Sequence, residues 1–303
     1  MFFSRGTKAE LAKLKSNVAA QQKSLLASLL ASAWVVEARD PYTGGHLWRV
    51  AMLSGKLARA LGLSESEANR IAMAGFLHDL GKIGVPDAIL RKPDKLTDDE
   101  FAVIKTHPNI GARLIASHPF SPLVMNAVLG HHETPNGRGY PQGLSDAQIA
   151  LDAKIVGVCD AFDAMTSSRP YRRGMPIEKA LQIIASELGQ QFDRRCGEAL
   201  IALQGTGELE HIVGHSDEGI PLAQCLMCGP TLVQVRGSHA GGHLACPNCT
   251  ADYVWESDAA GHLAAKPTGN KASADALAPV ADVVQIEDLA TRWVSALEVL
   301  QAP

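Results

Sequence analysis

A long apolar run, a secretory signal and an excess of charge of one sign are all missing from this sequence of 303 residues. Its most apolar early stretch, LLASLLASAWVV at 25–36, is well short of the roughly 20 residues that a helix needs to span a bilayer. The first residues, MFFSRGTKAELAK, lack the charged-then-apolar order of a secretory signal. The net charge of −4 leaves neither a basic surface for duplex nucleic acid nor a polybasic patch for anionic membranes. We therefore expect a soluble, cytoplasmic protein.

Four of the 6 cysteines form two C-x-x-C pairs, separated by residues 229–245: Cys225, Cys228, Cys246 and Cys249. In a chain without an export signal, such pairs indicate metal binding rather than a disulfide framework. Because four thiolates close a tetrahedron and leave no open position, the spacing predicts one structural zinc ion in a zinc ribbon. Two redox dithiols are the alternative, and His239 or His243 could replace one cysteine. The other two, Cys159 and Cys196, are expected to be small buried apolar side chains.

Changes in composition divide the chain into five predicted segments: an N-terminal amphipathic helix (1–38), a helical domain (39–205), the zinc ribbon (220–257), a flexible linker (258–281) and a C-terminal amphipathic helix (282–301). In the first helix, Leu11, Val18 and Leu25 fall seven residues apart, which indicates a helix–helix contact. That contact is either packing on the same domain or a homodimer interface. Both readings stay open at this point.

Residues 39–205 are predicted to be helical almost throughout, because no strand-like alternation appears there. Two capping boxes mark helix starts: Ser64 with Glu67, and Thr97 with Glu100. A Ser-Pro pair at 121 and 122 has the preferred N-cap and first-turn order. The expected fold is therefore mainly α, with an all-α domain followed by a small β zinc ribbon and a C-terminal helix.

Histidines and aspartates recur at or inside the apolar helices of this domain: His46, His78, Asp79, His107, His131, His132 and Asp160. A single histidine in such a position is usually a satisfied core residue. The whole set favours a metal site, because imidazole and carboxylate groups at the inner ends of packed helices are what a helical bundle uses to bind metal in its core. Two consecutive histidines at a helix end would also each need a polar partner.

The arrangement of these residues resembles the HD-GYP family, a branch of the HD phosphohydrolase superfamily. The resemblance covers about residues 38–205 and rests on six separated motifs in the family's order: DPYTGGHLWRV, HDLGKIGVPDAIL.KPDKL, H..IGARLI, HHETPNGRGYPQGL, DAFDAMTSSRPYRRGMP and GQQFD. A lone HD dipeptide would be a weak signal. Six motifs that agree in sequence and order are highly specific.

The resemblance implies an all-α HD fold with a binuclear metal centre. Its HD pair matches His78 and Asp79, with Asp79 expected to bridge the two ions. The first ion would also take His46 and Asp160. The second would take the remaining three histidines: His107, His131 and His132. This mixed imidazole and carboxylate set suits iron, manganese or zinc.

The resemblance also implies which residues contact substrate. Lys82 would touch the scissile phosphate and, with Asp79, is the expected catalytic residue. Arg169 and Arg172 match phosphate contacts, and Gly139, Tyr140 and Pro141 form the GYP loop beside the site. Ordinary surface cations are the alternative for Lys82 and both arginines. Two divalent ions close together lower the pKa of a shared water, so a bridging hydroxide attacks phosphorus and the ribose 3′ oxygen leaves.

Three positions depart from the family's pattern. Tyr42 stands where a three-metal version has an extra glutamate, so two metals are expected. Asn136 replaces the usual aspartate of the DGxGYP run, and Leu47 follows His46 where serine is common. None of these changes removes an expected ligand.

The implied reaction is hydrolysis of cyclic di-GMP, a bacterial second messenger, to linear pGpG, with further conversion to GMP left open. Two alternatives remain: a signalling module that binds a cyclic dinucleotide without cleaving it, and an HD phosphohydrolase that acts on another nucleotide. The zinc ribbon has few basic residues, so we expect it to contact a protein partner rather than nucleic acid.

Overall fold

A computed structural model describes residues 3–39, 44–92, 94–168, 172–278 and 280–298. Its helices are α1 (Phe3–Arg39), α2 (His46–Ala60), α3 (Glu65–Leu77), α4 (Asp87–Leu90), α5 (Asp98–Ile104), α6 (His107–Ile115), α7 (Ser121–Gly130), α8 (Leu151–Thr166), α9 (Ile177–Ser186), α10 (Arg194–Ala202), α11 (Ala274–Leu277) and α12 (Val283–Glu298). Two short 3-10 helices cover Leu80–Gly84 and Asp146–Gln148. The predicted mainly helical fold with a small C-terminal β module is confirmed.

Local sequence signals account for several helix starts. Both predicted capping boxes form: the hydroxyls of Ser64 and Thr97 accept the backbone N–H of the glutamate three residues later, and each glutamate binds the cap residue's N–H in return. Helix α7 begins at Ser121, with Phe120 as its N-cap, so this start lies one residue earlier than predicted. The two capping boxes therefore fix the residues at which α3 and α5 begin.

Helix α3 lies at the centre of the helical domain and contacts α1, α2, α7, α8 and α12. The Phe76 ring of α3 packs edge-on against Trp293 of α12, with 6.0 Å between ring centroids. The C-terminal helix therefore returns to the core of the helical domain, where Leu26 and Leu30 of α1 are also fully buried. Within the described residues, no helix is both long and apolar enough to cross a membrane.

The C-terminal β module contains seven strands in three antiparallel units: β1 (His215–Asp217), β2 (Ile220–Pro221), β3 (Ala223–Cys225), β4 (Gly229–Leu232), β5 (His243–Ala245), β6 (Ala251–Ser257) and β7 (Leu263–Lys271). The prediction of a flexible linker at 258–281 is wrong for most of that segment. Strand β7 pairs with β6 along its length, for example Trp255 with Ala265, and Ser273 caps the short helix α11. The segment's small residues give little side-chain pattern, so its backbone pairing was not visible in the sequence.

The β module packs against the turn that precedes α2. A Cβ added at Gly44 would lie 2.6 Å from Val233 Cγ2, and one at Gly45 would lie 2.7 Å from the Ser216 backbone. Arg49 Nη1 of α2 donates to His215 O across this contact. Two further hydrogen bonds join the module to the beginning of α12: Gln285 Nε2 to Ser216 O, and Arg236 N to Asp282 Oδ2. The β module therefore lies directly behind His46, the first residue of α2. The predicted segment boundaries remain predictions.

We expect Gly81→Ala to lower the free energy of unfolding by about 3 kcal/mol or more, because the new methyl group would overpack rigid backbone. Its Cβ would lie 1.9 Å from His107 O and 2.4 Å from Gly111 N. The control is Gly205→Ala, where the added Cβ meets no atom of the described residues within 4 Å and only the left-handed φ of +76° is strained. That change should cost about 1 kcal/mol. Urea unfolding followed by circular dichroism measures both, and equal losses would contradict the packing argument.

Candidate metal centre

The predicted histidine and aspartate residues meet where several helix ends converge. His46 begins α2, His78 and Asp79 follow the end of α3, His107 begins α6, His131 and His132 follow the end of α7, and Asp160 lies in α8. Five of these seven side chains are almost fully buried in the described chain: His46, His78, Asp79, His107 and His131. A sequence span of more than a hundred residues thus supplies one pocket.

Two clusters of potential ligand atoms form, each with its atoms within 4.8 Å of one another: His46, His78 and Asp79 in one, and His107, His131 and His132 in the other. Asp79 lies between them. Its Oδ2 is 3.3 Å from His78 Nε2 and 3.7 Å from His46 Nε2, whereas its Oδ1 is 3.3 Å from His107 Nε2. Asp160 Oδ1 lies 3.5 Å from His46 Nε2, on the side of the first cluster. One carboxylate therefore presents an oxygen to each cluster.

Hydrogen bonds at Nδ1, the ring nitrogen that faces away from the pocket, orient four of the five imidazoles. The partner is Asp163 for His46 and a backbone carbonyl for the other three. Nδ1 binds a backbone carbonyl oxygen in His78 (Gly75, 2.7 Å), His107 (Ile104, 2.8 Å) and His131 (Ala127, 3.0 Å). A carbonyl oxygen can only accept, so Nδ1 carries the proton and Nε2 turns a lone pair toward the pocket. His78 Nε2 is buried and makes no hydrogen bond within the described residues. Divalent metal ions fit this donor set, since bare imidazole nitrogens facing carboxylates are ligands they prefer.

His46 in the first cluster and the histidines of the second cluster differ in the direction of their pKa shifts. Burial alone would raise the pKa of Asp79, but the neighbouring His78 and Lys82 side chains hold it well below its ordinary value, so the group is a carboxylate. Burial alone would lower the pKa of His46, yet hydrogen bonds to Asp163 and Asp79 raise it to about 10. Burial and the neighbouring histidines lower the pKa of His131 well below the usual value and that of His132 to about 3. The second cluster therefore consists of neutral imidazoles, the form that binds metal.

A buried ion pair behind His46 was not predicted from the sequence. Asp163 Oδ2 lies 2.8 Å from His46 Nδ1, and Arg49 donates to both oxygens of the same carboxylate, at 2.5 and 3.1 Å. The Arg49 charge, working against the effect of burial, lowers the pKa of Asp163. The sequence contains one feature that could have predicted this pair, which is spacing. Asp163 follows Asp160 by about one helical turn, and Arg49 follows His46 in the same way. These two residues fix the orientation of the imidazole that begins α2.

The GYP loop lies beside the second cluster. The Tyr140 ring stacks on His132 with 4.6 Å between centroids, and Tyr140 N donates to His132 O. A Cβ at Gly139 would lie 2.5 Å from the Glu133 Cα, so only glycine fits there. The buried Glu133 carboxylate, also missed by the sequence reasoning, accepts the backbone N–H groups of residues 142 and 144 and anchors the loop. Pro141 follows Tyr140 through a cis peptide bond.

The three residues predicted to contact phosphate each give a different result. Lys82 lies at the edge of the pocket, with Nζ 2.6 Å from Asp79 Oδ2. In the described part of the chain, Arg172 donates through Nη2 to Ala164 O at 2.5 Å, on the helix that carries Asp160, rather than to the clustered ligands. Arg169 lies outside the described residues. Only Lys82 is placed in direct contact with a ligand residue.

The departures from the family's pattern can be placed for two of the three positions. Asn136 Oδ1 accepts hydrogen bonds from the Thr134 hydroxyl and from Arg138 N, so the amide keeps the acceptor role of an aspartate in this turn. Leu47 is buried, and its backbone N–H donates to Glu37 Oε1 at 3.0 Å. Tyr42 lies outside the described residues.

The four paired cysteines form a third cluster, in the β module. Cys225 and Cys249 Sγ are 3.5 Å apart, close to the roughly 3.8 Å edge of a tetrahedron with zinc–sulfur bonds of about 2.3 Å. The residue after each pair, Gly229 or Thr250, has a positive φ, which turns the backbone around the thiols. Burial alone would raise the pKa of Cys225, but the Tyr253 hydroxyl and two backbone N–H groups lower it to about 6. Cys159 and Cys196 are fully buried in the helical core, where burial raises their pKa.

Comparison with known proteins assigns the helical part to a family. The family model for the HD domain matches residues 13–196, so the chain belongs to the HD domain family, as its motifs predicted. Among curated proteins, a cyclic di-GMP phosphodiesterase response regulator of Xanthomonas campestris is 44% identical over 60% of this chain and 48% of its own length. A cyclic di-GMP phosphodiesterase of Thermotoga maritima is 42% identical over 55% of this chain and 46% of its own.

A third relative carries a different substrate name. The 3′3′-cGAMP-specific phosphodiesterase 3 of Vibrio cholerae is 40% identical over 55% of this chain and 36% of its own length. The chain thus spans less than half the length of each of these curated relatives.

We expect Asp163→Asn to weaken metal binding by about 10- to 100-fold, because the amide can no longer fix the His46 tautomer and leaves Arg49 with an incomplete partner. Metal titration monitored by calorimetry measures the affinity. The matched control is Asp152→Asn, a buried aspartate on the same helix that pairs with Arg70 away from the pocket. The control should lose stability but keep its metal affinity; an equal loss in both variants would show a general effect of destabilising α8.

Proposed function

We propose that this chain is a metal-dependent phosphodiesterase that opens cyclic di-GMP to linear pGpG. One observation carries the proposal: Asp79 presents its two oxygens to two separate histidine clusters, which is the geometry a binuclear centre requires. The names of the relatives from Xanthomonas and Thermotoga support the substrate class. Conversion of pGpG to GMP is a further step that the same site could perform.

His46, His78, Asp79 and Asp160 would hold one ion, and His107, His131, His132 and the other Asp79 oxygen would hold the second. Two such ions supply a nucleophilic water at neutral pH and a positive field for the phosphoryl oxygens. We expect two rather than three ions, of iron, manganese or zinc, because the position of the third-metal glutamate is Tyr42.

The chain's own residues would bind and orient the substrate. Lys82 lies at the pocket edge beside Asp79 and would give a compact positive charge to the scissile phosphate. Tyr140 is held against His132 and would border the phosphate-binding pocket. Arg169 and Arg172 would bind the second phosphate through planar donor groups, which for Arg172 requires leaving Ala164 O.

Two other readings differ in a measurable way. A cyclic GMP-AMP is the second candidate substrate, favoured by the Vibrio cholerae relative with that specificity. A module that only binds a cyclic dinucleotide would have no use for seven converging ligands. We expect hydrolysis of cyclic di-GMP ahead of 3′3′-cGAMP, and no turnover of a hyperphosphorylated guanosine.

Asp79→Ala should reduce cyclic di-GMP hydrolysis below detection, because both clusters lose their shared carboxylate. Chromatography of the nucleotide products and elemental analysis of the protein measure turnover and metal content together. Asp87→Ala, an exposed aspartate eight positions later that pairs with Arg39, is the control and should keep full activity. Normal hydrolysis by the Asp79 variant would refute the proposal, and tight binding without product by the metal-loaded native protein would favour the binding module.

We also propose that the cysteine cluster holds one structural zinc ion and that the β module contacts a protein partner. Leu226 and Met227, between the first two cysteines, are 77% and 81% exposed, an apolar tip suited to a protein contact. The predicted homodimer contact through α1 belongs with these proposals, as does a cytoplasmic location.

Cys246→Ser is expected to remove one zinc ion per chain and to unfold the β module, since a module this small depends on its metal for folding energy. Zinc released to a colorimetric chelator and proteolysis between residues 215 and 271 measure the two effects. The control, Cys196→Ala, deletes a buried thiol of the helical core and should retain the zinc. If the Cys246 variant keeps its zinc, the cluster is not the binding site.

A further inference from the structure

The N-terminal half of α1 extends away from the rest of the protein. Residues 8–18 are exposed without interruption, and from residue 8 onward the first residue of α1 in the buried core is Leu26. The stretch 8–22 alone is about 22 Å long at the usual helical rise. An isolated helix of this length is marginal in water, because helices in proteins gain most of their stability from packing of an apolar face.

A continuous stripe of positions spaced three and four apart faces solvent along this helix. We call it the seam: Leu11, Leu14, Val18, Gln21 and Leu25, continued by Ser28, Ser32 and Val35. The opposite face packs on the domain, where Lys23 pairs with Glu287 of α12 at 2.6 Å and Leu30 is fully buried. The seam is therefore left uncovered by the domain even where the helix is docked.

We infer that two copies of this chain pair through the seam as a parallel, in-register coiled coil. The seam occupies the a and d positions of a heptad repeat, which is the pattern of a two-stranded contact. In a parallel pair, a g position faces the e position five residues later on the other helix, and here these hold Glu10 and Lys15, opposite charges in both directions. Gln21 is the one polar side chain between Leu11 and Leu25 in the seam, a device that holds register.

The charges argue against an antiparallel pair, which would bring the e positions of the two arms together. Those positions hold Lys8 and Lys15, so the contact would repel. The narrow width of the apolar stripe favours contact with a protein rather than with a lipid surface. A helix that lies in a membrane interface needs a wide apolar face, whereas this stripe is limited to a and d positions and is interrupted by Gln21.

The pairing rests on the homodimer contact proposed above and gives it an orientation and a register. It is tested separately from the proposed reaction, because no residue of the seam is among the clustered ligands of the described chain. Sedimentation of the full chain should show a dimer. Leu14→Glu should raise the dimer dissociation constant by about a hundredfold or more, since two carboxylates would be buried at one d layer. Ser16→Glu, with the same added charge on the exposed f position two residues away, should leave the dimer intact. A monomeric native protein, or equal effects of the two variants, would overturn the inference.

A charge exchange tests the parallel register even if Leu14→Glu disrupts the helix. Glu10→Lys and Lys15→Glu should each raise the dissociation constant by roughly tenfold, and the double exchange should restore it, because attraction replaces repulsion at both pairs. A double variant no tighter than the singles would overturn the parallel arrangement. Flotation with phosphatidylglycerol–phosphatidylcholine vesicles tests the lipid alternative: a protein that is monomeric in solution and floats with the vesicles would replace the dimer by a membrane contact.

Discussion

The Asp79 carboxylate is the group on which the arrangement of the helical domain depends. Its two oxygens face histidine clusters from different helices, so the ends of α2, α3, α6 and α7 must all converge on it. A negative charge in so buried a position is costly unless cations or metal ions surround it. His46, whose pKa is raised to about 10, and Lys82 offset part of that cost in the protein alone, and divalent ions would offset it further.

Convergence alone would leave the imidazoles free to rotate, and the backbone prevents this. His78 and His131 bind carbonyl oxygens in the last turn of the helices that they terminate, where a carbonyl can accept a side-chain N–H. His107 uses Ile104 O in the same way. His46 instead binds the Asp163 carboxylate, which Arg49 holds from behind. Arg49 in turn donates to His215 O, so the β module is tied to the support of one predicted ligand.

Much of the fold was readable from local signals. The capping boxes at Ser64 and Thr97 act within four residues, and the structure contains both. Strand β7 was missed because its pairing with β6 joins backbone groups of a segment whose alanines, glycine and lysines show no alternation. The Asp163–Arg49 pair was missed for a related reason: each residue resembles an ordinary charged helix position until their helices are packed together.

Residue identities and the order of the motifs were enough to predict the family and the chemical character of the donor set. Those depend on identity and spacing along the chain, which the six motifs and the paired cysteines carry in full. Packing of the helices in three dimensions establishes which nitrogen of His78, His107 and His131 faces the pocket. It also establishes how the oxygens of Asp79 divide between two clusters, and that the β module lies behind His46. These are relations between groups far apart in sequence, and they exist only once buried helix faces have fixed the distances and directions between them.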